Sequence, residues 1–189
     1  MNAQEMAQAS NITNGVDVDA LIETIGAVKQ NPAIADFQFR ASNRWIGGDH
    51  NRSTISGFRG ACDEQVHASG PFEMDNAEPP LLLGQGAAAN PVEYVLHALA
   101  GCLTTTMVYH AAARGIDVEE VSSELEGDLD LKGFLGLDEN VRKGFHTVRV
   151  KMRVKSEANA GTLKSLAQFS PVYDIVSKSL PVDVAVEMI

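Results

Sequence analysis

The stretch from Asn90 to Gly115 constrains this chain more than any other. Asn90-Pro91 is a helix start with proline at the first helical position, and Gly115 is a good residue to end one. About 24 residues at 1.5 Å rise span roughly 36 Å, the width of a whole small domain. Ala98, Leu99, Ala100, Leu103, Met107, Val108, Ala111 and Ala112 make the segment apolar nearly all round. A helix of that kind is surrounded by protein rather than laid on a surface, so the fold is organised about it.

Around this helix the pattern is mixed. Val18, Leu21, Ile22, Ile25 and Val28 recur at helical spacing after Asp17, a plausible N-cap, and the helix should stop near Asn31-Pro32. From Phe37 a period-two alternation predicts a strand to about Ile46, a turn at Gly47-Gly48-Asp49, a return strand over 52–61 and a third strand broken at Gly70-Pro71. Together these read as one antiparallel meander. The prolines and glycines of residues 77–89 predict a loop. Beyond the long helix, strands are expected over 118–131 and 145–154. A helix over 160–179 is interrupted at Ser170-Pro171, and a closing strand carries Val182, Val184 and Val186. Strands in blocks between helices indicate an α+β fold. Residues 1–35 read as an N-terminal extension with one helix, and residues 36–189 as the main domain.

A net charge of −10 argues against nucleic acid as a partner, because phosphate binding needs clustered Lys and Arg. No run approaches the ~18 apolar residues of a membrane span. Residues 1–14 are polar, without the charged and apolar regions of a secretory signal. Two cysteines make no disulfide scaffold. A cytoplasmic protein is the expectation. The five histidines form no HxxxH pair and the cysteines no CxxC, so no metal and no cofactor are expected.

Chemistry therefore rests on Cys62 and Cys102. Cys102 is the twelfth residue of the expected helix, beyond the reach of the helix dipole. Its activation would need a tertiary partner such as an arginine, and the first strands offer Arg40, Arg44, Arg52 and Arg59. The competing reading is a buried, inert cysteine, since free Cys is among the most buried residue types.

Four segments together resemble the OsmC/Ohr family: Glu78-Pro79-Pro80-Leu81-Leu82-Leu83-Gly84, Asn90-Pro91-Val92-Glu93, Ala98-Leu99-Ala100-Gly101-Cys102, and His110 to Ile116. Ser170-Pro171-Val172 and Leu180-Pro181-Val182 match its C-terminal segment. The resemblance implies an OsmC-like fold, with a curved antiparallel sheet packed on long central helices in an intertwined homodimer. It also implies reduction of organic hydroperoxides by a reactive thiolate, with resolution by a second cysteine and reduction by an external thiol. Carried over by position, Cys102 is the peroxidatic cysteine, and Ser170 stands where the second cysteine would fall. The orienting glutamate would follow Pro91, where the chain has Val92, so Glu93 is one residue late. The usual arginine follows a Gly-Gly turn, where the chain has Asp49, which leaves Arg44 or Arg52 as substitutes. Leu103, Met107, Phe169 and Ser170 are the expected substrate-pocket residues. The expected partners are a second copy, a small organic hydroperoxide and an external thiol reductant. The alternative is a non-catalytic protein that holds a small apolar ligand on the same scaffold.

Overall fold

The computed structural model describes residues 11–178. They form two compact units, one of residues 11–12 and 17–95, the other of residues 13–16 and 96–178. The expected strand at Val182–Val186 lies outside the described residues.

Near the start, strands β1 (Ile12–Thr13) and β2 (Val16–Asp17) are joined by Asn14 and Gly15, both with left-handed φ. The Asn-Gly pair suits such a tight turn. Polar composition hid this turn in the sequence. The Asn14 side chain donates to the Ile116 carbonyl (2.9 Å) and accepts from the Val118 amide (2.8 Å) within the second unit.

In the first unit, helix α1 (Val18–Gln30) begins where expected, with the Asp17 carboxylate accepting from the Ala20 amide at 3.0 Å. Six strands follow: β3 (Gln38–Phe39), β4 (Ser42–Gly47), β5 (His50–Ile55), β6 (Gly57–Gly60), β7 (Asp63–Val66) and β8 (Phe72–Asn76). They do not form one meander. Each expected long strand is split, and its halves join two antiparallel sheets, β3-β6-β7 and β4-β5-β8. The breaks fall at residues 40–41 and at Ser56, and Gly70-Pro71 separates β7 from β8. Alternation survives across each break, so period-two reading cannot see the change of partner. On β3-β6-β7, Phe39 faces Phe58 in register, and their ring centroids are 5.4 Å apart.

Helix α2 (Pro91–Ala112) starts in the first unit and runs into the second. It ends in a Schellman arrangement: the Ile116 amide donates to the Ala111 carbonyl, the Gly115 amide donates to Ala112, and Gly115 has left-handed φ. The second unit continues with β9 (Glu120–Asp128), α3 (Leu131–Phe134), β10 (Thr147–Lys155), α4 (Ala160–Ala167) and α5 (Pro171–Ser177). Strands β9 and β10 pair antiparallel from Thr147↔Asp128 to Lys155↔Glu120. Asp130 caps the short α3, accepting from the Lys132 amide, so Leu131 leaves the strand in which alternation placed it.

The core of this unit joins Leu99, Leu103, Met107 and Ala111 of α2 to Leu163, Leu166 and Ala167 of α4, with Val121, Leu125, Val148 and Met152 packed against them. The four α2 residues recur every fourth position and mark one stripe of the helix. Contrary to the expectation of complete burial, Gly101, Thr105 and Tyr109 on other sides of α2 are exposed in the single chain. The architecture is α+β, as the block order of strands and helices implied.

Candidate functional site

Helix α2 carries the site, and its head is fixed by its own first residues. The Asn90 side chain accepts from the Val92 amide at 2.9 Å, and Glu93 Oε2 accepts from the Asn90 amide at 2.8 Å. This is a capping box with glutamate at the third helical position, and it accounts for the position of Glu93. Asn90 also donates to the Glu78 carboxylate.

Three turns on, Cys102 is a free thiol, partly buried, with its Sγ 3.9 Å from the Thr106 hydroxyl one turn ahead. At that distance the thiol and the hydroxyl can share one weak hydrogen bond, with either as donor. Leu103 and Met107, a step around the helix, line a groove of about 640 Å³. Val150, Met152, Leu163 and Tyr173 form other parts of its wall, and Lys164 and Gln168 also line it. Such a groove can take an apolar molecule and hold a polar end at its edge.

The other expected pocket residues sit apart from that lining. Phe169 is 61% exposed and stacks on the His110 ring, with centroids 4.5 Å apart. His110 Nδ1 lies 3.1 Å from Arg114 Nη1, and a guanidinium only donates, so Nδ1 is the acceptor. Burial first, and then the Arg114 charge, lower the His110 pKa. Ser170 is almost fully buried (1% exposed) and caps α5, its Oγ accepting from the Tyr173 amide at 3.1 Å.

In the first unit the arginines are ordered by strand register. Arg44, Arg52 and Asp75 stand in one cross-strand row over β4, β5 and β8. Arg44 is exposed. Arg52 grips Asp75 with two bonds, Nε to Oδ1 at 2.6 Å and Nη2 to Oδ2 at 2.9 Å, and its Nη1 is 3.6 Å from Glu73. Arg52 brings the Asp75 pKa down to about 2, chiefly through these hydrogen bonds, and its own pKa rises for the same reason. The donors of Arg52 are therefore engaged by carboxylates of its own sheet. His50 Nε2 lies 3.5 Å from Asp75 Oδ1, too far for a good hydrogen bond.

Asp49 has a role that sequence reasoning missed. Its Oδ2 accepts from the amides of Glu78 (2.9 Å) and Gln85 (3.2 Å), bonds that lower its pKa. Gly84 lies over this contact; a Cβ there would come within 2.0 Å of the Glu78 carbonyl oxygen and 2.6 Å of Asp49 Oδ2. The available signal was an acidic residue after Gly47-Gly48 together with a glycine-rich loop ahead of α2. The glycine serves the loop's own closure. Cys62 is a free, exposed thiol of the first unit at the β6–β7 turn.

The sequence model of the OsmC-like protein family matches residues 84–185, more than half of the chain. The chain belongs to the OsmC-like family. Solved structures agree at the level of the fold. An OsmC-like protein of Mycoplasma pneumoniae is 12% identical, with TM-score 0.56 over 75% of this chain and 89% of that one. An OsmC-like protein of Vibrio cholerae, described as of unknown function, is 14% identical, with TM-score 0.54 over 80% and 99%. A Psychrobacter arcticus protein, named for osmotic stress induction and a detoxification response, is 17% identical, with TM-score 0.51 over 70% and 83%. No curated protein matches the chain significantly. Among the described residues, no helix is long and apolar enough to cross a membrane.

Proposed function

We propose that this OsmC-like protein reduces organic hydroperoxides through Cys102, as a homodimer in a cytoplasmic oxidative-stress response. The observation that carries this reading is the thiol of Cys102: free, partly buried and beside the Thr106 hydroxyl, on the helix within the family match. In the proposed step, the thiolate sulfur attacks one peroxide oxygen. The S–O bond forms as O–O breaks, and the leaving alkoxide takes a proton to give an alcohol. Ser170 cannot supply a second sulfur. An external thiol then condenses with the Cys102 sulfenic acid, releasing water. A second thiol displaces the mixed disulfide and restores Cys102. The homodimer is supported by α2, which is apolar nearly all round yet buried along one stripe in a single copy.

The test is oxidation by cumene hydroperoxide in the presence of a sulfenic-acid trap, followed by intact-mass analysis and site mapping. Rapid labelling of Cys102, absent in Cys102→Ser, is the expected result. A rate no better than that of free cysteine refutes the peroxidase reading. The groove of about 640 Å³ favours one second reading, non-catalytic binding of a small apolar ligand. In that case Cys102→Ser leaves the binding of an apolar fluorescent probe unchanged while Leu163→Arg abolishes it.

A further inference from the structure

The first unit holds a concave site of its own, built around the second cysteine. Cys62 sits in the two-residue turn between β6 and β7, where Gly60 pairs with Asp63. The 3₁₀ turn Pro32–Ala35 and the residues that lead into β3 stand against it. Together they form a cleft of about 270 Å³, lined by Ala33, Asp36, Phe37, Gln38, Arg59 and Cys62. The Phe37 ring lies so close on Gly60 that a Cβ there would collide with it, so the aromatic wall of the cleft needs that glycine. Strand register decides which charges stay open. Gln38, Arg59 and Glu64 stand in one cross-strand row. Glu64, the carboxylate opposite Arg59, is taken by Arg40. Among the described residues, the Arg59 guanidinium has no hydrogen-bond or ion-pair partner, and neither has the Asp36 carboxylate. Opposite charges that line one cleft without pairing with each other are complementary to a molecule that carries both. The thiol between these elements adds a reactive sulfur.

We propose that this cleft recognises the disulfide of a zwitterionic amino-acid thiol, and that Cys62 exchanges with it to form a mixed disulfide. Arg59 takes the carboxylate, to which a guanidinium can donate twice, and Asp36 takes the ammonium group. The Cys62 thiolate attacks one sulfur of the disulfide. A new S–S bond forms as the old one breaks, and the departing amino-acid thiolate takes up the proton that Cys62 gave up. No further oxidant enters, because the incoming disulfide already holds the oxidising equivalents. The volume of about 270 Å³ falls just below the roughly 300 Å³ at which sites for drug-sized molecules begin, and so suits a ligand of amino-acid size. The peroxidase cycle proposed above releases the disulfide of its external thiol, so an amino-acid thiol serving there would deliver its product here. The cleft itself does not depend on that reading.

The experiment uses the full chain with Cys102→Ser, which leaves Cys62 as the sole thiol. Cystine (zwitterionic), cystamine (cationic) and hydroxyethyl disulfide (neutral) are each supplied in excess, and mixed-disulfide formation is timed by intact mass. Each rate is divided by that of the same disulfide with N-acetylcysteine amide, a neutral thiol, which removes the probe's intrinsic reactivity. An exposed ion pair is worth up to about fivefold, so two of them should set the normalised rate of cystine about tenfold above that of hydroxyethyl disulfide. Arg59→Gln and Asp36→Asn, both at exposed positions, should each cut that ratio about threefold, and together bring it to one. Taking the ratio within each variant cancels any change in the thiol itself. A ratio near one in the parent marks Cys62 as an ordinary exposed thiol and overturns the proposal. So does a ratio that survives both substitutions, because the cleft is then not its source. Cystamine reacting as fast as cystine shows that the carboxylate goes unread and overturns the assignment to an amino-acid disulfide. None of these outcomes involves Cys102, so the peroxidase reading stands or falls separately.

Discussion

Ser170→Ala isolates one hydrogen bond at the place where the family resemblance expects a second cysteine. The hydroxyl accepts from the Tyr173 amide at 3.1 Å, and Pro171 occupies the first helical position of α5. Losing an N-cap costs roughly 0.5–2 kcal/mol. At 1% exposure, water cannot take over from the lost oxygen, so the amide stays unpaired. The upper half of the range applies, about 1.5 kcal/mol. For a chain of 150–250 residues each kcal/mol moves Tm by about 2–4 °C, so the expected drop is about 3–6 °C by scanning calorimetry. Ser170→Thr keeps the acceptor and should recover most of the loss. A Tm within 1 °C of wild type for Ser170→Ala, or no difference between the two variants, would refute the reasoning.

Two other outcomes follow from the first unit. The Asp75 pKa is lowered from 3.8 to about 2, so its pairing with Arg52 stabilises the fold fully above about pH 4, and that contribution is lost as pH falls through about 2. Asp75→Asn should flatten the acid limb of a stability–pH curve between pH 4 and 2; an unchanged slope speaks against the pair. Gly84→Ala drives a methyl into the Glu78 carbonyl and Asp49, so amide exchange at Glu78 and Gln85 should speed up by at least about tenfold. Exchange at Leu103 and Met107, in the middle of α2, should not change.

The parts of the fold legible in the sequence were those decided locally. Asp17 before an amphipathic repeat, Gly115 after a long apolar run and Ser170-Pro171 inside a helical stretch each announce a helix end within a few residues, and each lies where expected. Strand partners were not legible, because pairing is a long-range choice. Nothing between Phe37 and Ile46 says that Phe39 will meet Phe58 while Arg44 meets Arg52. The same limit governed the site. The place of Cys102 on α2 was legible through its spacing from Asn90-Pro91. The engagement of Arg52 by Asp75 depends on their being opposite each other across β5 and β8, and the Asp49 contact joins residues 29 and 36 positions apart. Alternation assigns faces to such residues but not neighbours.

The β6–β7 turn has a practical consequence. Ala61 and Cys62 both hold positive φ at its two central positions, so the thiol of Cys62 stands at the apex of a hairpin, exposed to solvent. In aerated buffer such a sulfur joins molecule to molecule, giving a covalent pair whose mass would pass for that of a natural assembly. Gly is at ease in that backbone geometry, so Cys62→Gly should relax the tip and remove the artefact at one stroke.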